Sequence, residues 1–258
     1  MDYTSLFKNN GGKKSKVGII GATRGYGYTL LAQIPKVELM ELRLISSRHT
    51  DECVEVLTGL GYRKEDIIIC GNKEQVQSAP GHGVLIVNDY RLVLESDITA
   101  LVECTGNTAV SSEVSADALK KGINVYMVSK ETDSVCGPIL NNIAEKHGTV
   151  YSLVNGDQPR NLLDLYSWGK VLGLEIIAAG KASEYDFVWD PDTDEFTYME
   201  GPEKPHENIP GLKEFWHYEG PGTLEGRRKL LEKYMAVISA DLCEMNLVSN
   251  VTGLVPSD

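Results

Sequence analysis

Polar and apolar positions alternate along this chain in blocks. A polar stretch with Asn9, Asn10, Gly11, Gly12, Lys13 and Lys14 precedes Val17, so residues 1–16 read as a flexible arm. Beyond it, residues 16–20, 42–46, 101–104 and 124–128 are near-continuous apolar runs, the pattern of strands covered on both faces of a parallel sheet; residues 84–87 are a shorter fifth. Helical spacing fills 26–33, 51–60 and 111–121, the last followed by Gly122 where a C-terminal cap favours glycine. A further helix is predicted over 138–147, leading through Gly148 into a strand at 150–154. Strand alternating with helix predicts an α/β fold with a doubly wound parallel sheet over residues 17–150.

The texture changes after Asn155. A helix at 161–172 and a strand at 175–179 are followed by an insertion, 184–222, that carries Trp189, Pro191, Pro202, Pro205, Pro210, Trp216 and Pro221. That many prolines exclude one continuous regular element. A substrate-binding lid and a plain surface excursion both fit a segment of this length. A last amphipathic helix is expected within 224–246, before Val251-Thr252-Gly253-Leu254-Val255-Pro256. Residues 151–258 therefore read as a smaller α+β region, expected to bind substrate and to join copies of the chain. No internal repeat is present.

Composition narrows the classes. With 42% hydrophobic and 24% charged residues the 258-residue chain reads as a folded globular protein. The net charge of −12 argues against nucleic-acid and membrane-surface partners. The dense basic run Arg227-Arg228-Lys229 is short enough for a solvated helix face. Five cysteines without a Cys-x-x-Cys pair indicate neither a disulfide framework nor a thiolate zinc site. No apolar leader opens the chain, and no run nears the roughly 18 apolar residues of a membrane span, so the cytoplasm is the expected compartment.

The first strand runs into Gly21-Ala22-Thr23-Arg24-Gly25-Tyr26-Gly27 and directly on into a helix. A glycine turn at that junction brings backbone close to a pyrophosphate, and the helix N-terminus supplies free amides and a favourable dipole. The turn thus points to a Rossmann-type dinucleotide site, although Arg24 stands where such loops usually carry their middle glycine. The second strand ends in Ser46-Ser47-Arg48-His49, without the carboxylate that selects NAD; Ser47 and Arg48 suit a 2′-phosphate, so NADP is favoured and NAD stays open. Ligands lie beyond the carboxyl ends of the strands in such sheets, which adds Thr105, Gly106 and the Ser129-Lys130-Glu131 strand end.

With its Glu103-Cys104-Thr105-Gly106 turn and Ser129-Lys130 strand end, the stretch from Val17 to Lys130 resembles the cofactor domain of homoserine dehydrogenase-like proteins. Glu131-Thr132-Asp133, Gly137-Pro138, Tyr151-Ser152-Leu153, Gly156-Asp157-Gln158-Pro159 and Ala179-Gly180-Lys181 are similar to the branch of deoxyxylulose-phosphate reductoisomerase-like proteins and D-apionate oxidoisomerases, as is the terminal Asn250 to Pro256. The resemblance covers most of the chain outside the insertion. It implies reversible hydride transfer to or from a carbonyl of a small polyhydroxylated substrate, a sugar acid or polyol phosphate, in some members with a skeletal rearrangement. It also implies a homo-oligomer and a further C-terminal portion.

Reducing a ketone needs a cation or proton donor at the developing alkoxide. Lys181, expected just after a strand, is the first candidate, and a solvated surface lysine is the alternative. Lys130 ranks second, from the cofactor half; a lysine at the matching position of homoserine dehydrogenases is what the resemblance implies. Asp157 is suited to accept from a substrate hydroxyl, to hold Lys181, or to cap the following helix. Glu131 and Asp133 invite a metal with Asp157, but no ligand spacing argues for one, and no metal is assigned. Two other readings remain: a non-catalytic dinucleotide sensor, and a semialdehyde dehydrogenase, for which Cys136 is the available nucleophile.

Overall fold

The computed structural model describes residues 13–181, 187–198, 206–234 and 241–255. Seven strands, β1 (Ser15–Ile20), β2 (Met40–Ser46), β3 (Ile67–Cys70), β4 (Val84–Val87), β5 (Ala100–Glu103), β6 (Asn124–Met127) and β7 (Tyr151–Leu153), form one sheet in the order β3-β4-β2-β1-β5-β6-β7. Every pair in it is parallel. Successive residues of the central strands serve opposite faces. Ile20, Leu44, Leu85 and Leu101 enter one core with Val114 and Leu140, while Ile19, Ile45, Ile86 and Val102 enter the other with Leu31 and Leu57. These partners belong to α4 (Thr108–Lys120) and α5 (Lys130–His147) on the first face, and to α1 (Gly25–Gln33) and α2 (Thr50–Gly59) on the second. Helices on both faces explain the unbroken apolar runs, and the result is a Rossmann-like α/β fold.

Three expectations need correction in this half. The sheet gains β3 and the short helix α3 (Lys73–Ser78), neither of which the hydrophobic pattern separated from its charged surroundings. β3 is an edge strand whose Ile69 is half exposed, so it lacks the two-sided burial that marks the others. Lys130 opens a helix instead of ending a strand, because α5 starts there and runs through Pro138. Proline removes the amide that would bond the carbonyl four residues back. That carbonyl, Ser134 O, instead accepts from Asn246 Nδ2 and Asn250 Nδ2, each at 2.9 Å. Two asparagines from a distant helix thus satisfy the acceptor and keep α5 continuous.

Those asparagines stand on α9 (Asp241–Thr252), which packs on α5 and on α6 (Gln158–Val171) around Leu163, Leu247 and Val248. The helix expected within 224–246 is accordingly not one element: α8 (Pro221–Leu230) ends before α9 begins, and residues 235–240 lie outside the described residues. The strand expected at 175–179 is absent. Residues 174–181 carry no regular structure, Ile177 is exposed, and among the described residues no strand pairs with them. An extended segment without a partner leaves its ladder groups unpaired.

The described part of the insertion is folded. β8 (Phe187–Asp190), β9 (Glu195–Tyr198) and β10 (His206–Glu207) make a small antiparallel sheet, joined by α7 (Leu212–Trp216) and the start of α8. Trp189, Phe196, Leu212 and Leu231 form its core, and the Trp189 and Trp216 rings pack at 5.2 Å between centroids with their planes tilted by 44°. Its prolines sit between elements: Pro191 follows β8, Pro210 precedes α7 and Pro221 opens α8. The expected arm (1–12 of it), Pro202, Pro205 and Pro256 lie outside the described residues. No helix among the described residues is long and apolar enough to cross a membrane.

Candidate functional site

The connection from β1 to α1 lies at the centre of the sheet, where the strand order departs in both directions. Gly21 has φ +82°, and a Cβ there would stand 2.7 Å from Cys104 O, so only glycine lets the turn pass the end of β5. A Cβ on Gly27 would stand 2.6 Å from Gly21 O, which makes Gly27 the residue that lets α1 pack against the turn. Gly25 differs from both. It also has positive φ, +54°, yet a Cβ there meets nothing within 4 Å, so its backbone faces open space. The N-terminus of α1 has no side-chain cap and no acidic residue in its first turn. Its free amides and dipole are therefore available to an anion beside a glycine that leaves room for it. The cradle fits a pyrophosphate.

A cleft of about 700 Å³ opens here, lined by Gly21, Thr23 and Arg24 in the middle. Ser46, Ser47, Arg48 and His49 lie on one side with Asn88, Asp89 and Tyr90, and Cys104, Thr105 and Asn107 on the other. Arg24 is exposed, with Nη2 3.6 Å from Glu52 Oε1. Tyr26, at the start of α1, is near Cys104 and Asp157, and burial followed by those two groups pushes its phenol up. Ser47 N donates to Val87 O at 3.0 Å, and Ser47 Oγ accepts from His49 N at 3.2 Å, which fixes the turn after β2. The expected residues Gly21, Thr23, Arg24, Ser47, Arg48 and Thr105 all line this one cleft. The sequence pointed to nothing at Asn88, Asp89 and Tyr90, which follow the short strand β4.

Beneath the Thr105 turn lies a fully buried carboxylate. Glu103 Oε1 accepts from Thr105 N at 2.9 Å and from the Thr105 hydroxyl, and Oε2 accepts from Ser111 Oγ at 2.7 Å. Neutral donors satisfy both oxygens, and these hydrogen bonds pin the turn. Gly106 N donates to Ser129 Oγ at 2.8 Å, which ties this turn to the residue preceding Lys130. Burial pushes the Cys104 thiol far up, so it stays protonated at neutral pH. Cys136 packs on the core from α5 and is not part of the cleft's lining, which leaves the semialdehyde reading without a placed nucleophile.

Lys130 and Lys181, far apart in sequence, meet on one group that the sequence did not suggest, and Asp157 lies beside Lys130. Glu244, only 4% exposed, accepts from Lys130 Nζ through Oε1 and from Lys181 Nζ through Oε2. Lys130 Nζ also lies 3.7 Å from Asp157 Oδ2, while Asp157 Oδ1 accepts from Gln158 N at 2.8 Å. Asp157 thus caps α6 and faces a lysine at once. Burial acts to lower the Lys130 pKa, but the hydrogen bond to Glu244 and the charges of Asp157 and Glu244 outweigh it, and the ammonium is held above its ordinary value. For Glu244, burial acts upward and the hydrogen bonds from both lysines outweigh it, so the carboxyl is held below its ordinary value. Lys130 and Glu244 are therefore charged across the neutral range.

Asp133 is not part of this cluster. It is buried, accepts from the Tyr151 hydroxyl, and burial raises its carboxyl although that hydrogen bond opposes the rise. Among the described residues no group of three histidines, cysteines or carboxylates is placed to hold a metal ion.

No protein-family model and no curated protein matches the chain. Among solved structures, it is similar to scyllo-inositol dehydrogenase from Lactobacillus casei with bound NAD(H) and scyllo-inositol, at 18% identity and a TM-score of 0.43, over 62% of this chain and 42% of that one. It is also similar to 1-deoxy-D-xylulose 5-phosphate reductoisomerase from Zymomonas mobilis in complex with NADPH, at 16% identity and a TM-score of 0.44, over 59% of this chain and 41% of that one. A third is homoserine dehydrogenase from S. aureus, at 15% identity and a TM-score of 0.37, over 54% of this chain and 32% of that one. The chain spans about two fifths of the length of the first two.

Proposed function

We propose that this protein binds a nicotinamide dinucleotide across the carboxyl ends of β1, β2, β4 and β5, and transfers hydride between it and a small polyhydroxylated carbonyl substrate. The observation that carries the reading is the β1–α1 turn. Gly21 and Gly27 are required by contacts within the protein, Gly25 leaves its backbone open, and the uncapped N-terminus of α1 directly follows Arg24, which lines the 700 Å³ cleft with Gly21 and Thr23. In this reading the amides around Thr23, Arg24, Gly25, Tyr26 and Gly27 hold the pyrophosphate. Ser47 and Arg48 hold the adenosine end and its 2′-phosphate, which favours NADP over NAD. Thr105 and Gly106 border the nicotinamide end, beside Ser129 and Lys130.

The dinucleotide, when bound, supplies or accepts the hydride. The protein's own share is electrostatic. Lys181 Nζ, aligned by Glu244, donates to the carbonyl oxygen and stabilises the charge that develops on it; Lys130 supports that charge from the cofactor half, and Asp157 orients a substrate hydroxyl. Lys181 contacts the buried carboxylate and follows an irregular segment, where the sequence suggested a strand before it.

The test is to mix the protein with NADPH or NADP and a panel of keto-sugar acids, sugar acids and polyol phosphates, following the absorbance of the reduced nicotinamide. Turnover on a panel member, lost in Lys181→Met with NADPH affinity retained, is the expected result. Binding of NADPH without turnover on any member would favour the sensor reading, and no binding would remove the dinucleotide reading.

A further inference from the structure

A second cavity, of about 610 Å³, lies between α5, α6, α9 and β7, and none of its lining residues lines the glycine cleft. Asp133, Gly137 and Asn141 bring one face of α5 to it, and Arg160, Leu163 and Asp164 one face of α6. Asp133 is only 6% exposed, and its carboxylate is incompletely paired. Oδ1 accepts from the Tyr151 hydroxyl, and among the described residues nothing donates to Oδ2. Glu103 is the contrast, since donors reach both of its oxygens. Burial holds the Asp133 carboxyl above its ordinary value, as expected of a charge short of partners. The chain nevertheless makes room for it: a Cβ on Gly137 would collide with Asp133 Oδ1, and glycine weakens a helix interior. Tying α5 to β7 does not require a charge, because a neutral asparagine would also accept from Tyr151.

We propose that this cavity is a binding site for a small organic ammonium ion with an apolar body, whose N–H is accepted by Asp133 Oδ2. Charge supports this class. Asp133 and Asp164 line the cavity with one cation, Arg160, and Arg160 Nε is already bound to Asp164 Oδ1 at 2.9 Å. Asp133 is thus the charge left over, which a monocation would neutralise and an anion would oppose. An ammonium on a buried carboxylate makes a charge-assisted hydrogen bond, roughly twice as strong as a neutral one. Shape supports it too, because Pro138, Leu153, Leu247 and Val251 also line the cavity and would cover a hydrocarbon body. A metal ion fits less well, since among the described residues no group of three carboxylates, histidines or cysteines is placed to hold one. The site shares no residue with the proposed dinucleotide site and stands or falls without it.

The probe is 3-methylbutylamine, titrated by calorimetry into the full chain at neutral pH, with 3-methylbutanol as an uncharged control of the same shape. Wild type should take up the amine saturably and bind the alcohol about tenfold more weakly or worse. Asp133→Asn keeps an acceptor for Tyr151 and removes the charge. It should weaken the amine about tenfold or more and leave the alcohol within about twofold. Amine drawn only by the net charge of −12 would bind both proteins alike. If Asp133→Asn does not fold, Arg160→Gln carries the test from the half-exposed side of the cavity: with the cation gone, the amine should bind about threefold more tightly or better. Absence of saturable uptake, equal binding of amine and alcohol, or an amine affinity that the folded variant leaves unchanged overturns the proposal.

Discussion

Replacing Gly25 by alanine separates binding from folding more cleanly than any other change in the glycine turn. At φ +54° a non-glycine residue costs about 1 kcal/mol, but the added methyl meets no atom within 4 Å, so no clash is added to that strain. For a domain of this size about 1 kcal/mol lowers Tm by about 2–4 °C. The same methyl occupies the space through which the pyrophosphate would approach the α1 amides. Losing one charge-assisted hydrogen bond there costs about 1.5–3 kcal/mol, or roughly 10- to 100-fold in NADPH affinity. Gly21→Ala contrasts with it, since its methyl would stand 2.7 Å from Cys104 O and 2.8 Å from Cys104 C. Positive φ and a backbone collision together should cost about 3 kcal/mol or more, on the order of 10 °C in Tm. Gly21 therefore reports on folding as well as on the cofactor, and the larger Gly21→Val would do so more severely. The assay is thermal unfolding followed by fluorescence titration with NADPH. Gly25→Ala binding as tightly as wild type, or Gly21→Ala melting with it, would refute the argument.

Arg48→Ala should weaken NADP binding about tenfold or more while leaving NAD within about twofold, because a 2′-phosphate loses its charge-assisted partner; equal losses in parallel titrations would mean Arg48 does not read that phosphate. Asn246→Ala with Asn250→Ala should cost about 2 kcal/mol by uncovering Ser134 O, and clearly less in a Pro138→Ala background, where a backbone amide returns to that carbonyl; additive denaturant midpoints would contradict the pairing. Glu244 is held below its ordinary value of 4.5 and Lys130 above its ordinary 10.5. The carboxylate thus contributes stability above its unfolded pKa, lost as pH falls through the folded one, and the ammonium contributes stability below its unfolded pKa, lost as pH rises through the folded one. The stability difference between wild type and Glu244→Gln should be level between about pH 5 and 10 and shrink beyond either end; a difference that grows below pH 5 would reverse the assigned direction.

The parts of this protein written in adjacent residues were readable from sequence. The runs that became β1, β2, β4, β5 and β6 owe their composition to burial on both faces, and the Gly21 to Gly27 turn is local in sequence and in space. What escaped was decided by distant partners. Pro138 looked like a helix start because nothing nearby reveals Asn246 and Asn250, which take over the acceptor it frees. Residues 175–179 have the composition of a strand, and among the described residues no strand pairs with them. Lys130, Asp157 and Lys181 were each picked for their place after an element, but Glu244, which joins the two lysines, lay unmarked in an amphipathic helix. One carboxylate in such a helix carries no signal until α9 is packed onto α5.

The central claim is that a dinucleotide lies in the glycine cleft, and amide chemical-shift mapping of the cofactor-bound protein addresses it most directly. Titration with NADPH should move the amides of Thr23, Arg24, Gly25 and Tyr26 most, followed by those of Ser47, Arg48, Thr105 and Gly106, and should leave Trp189, Phe196 and Leu212 of the small antiparallel unit unchanged. Saturable shifts confined to residues away from the β1–α1 turn, or no shifts at all, would contradict the claim.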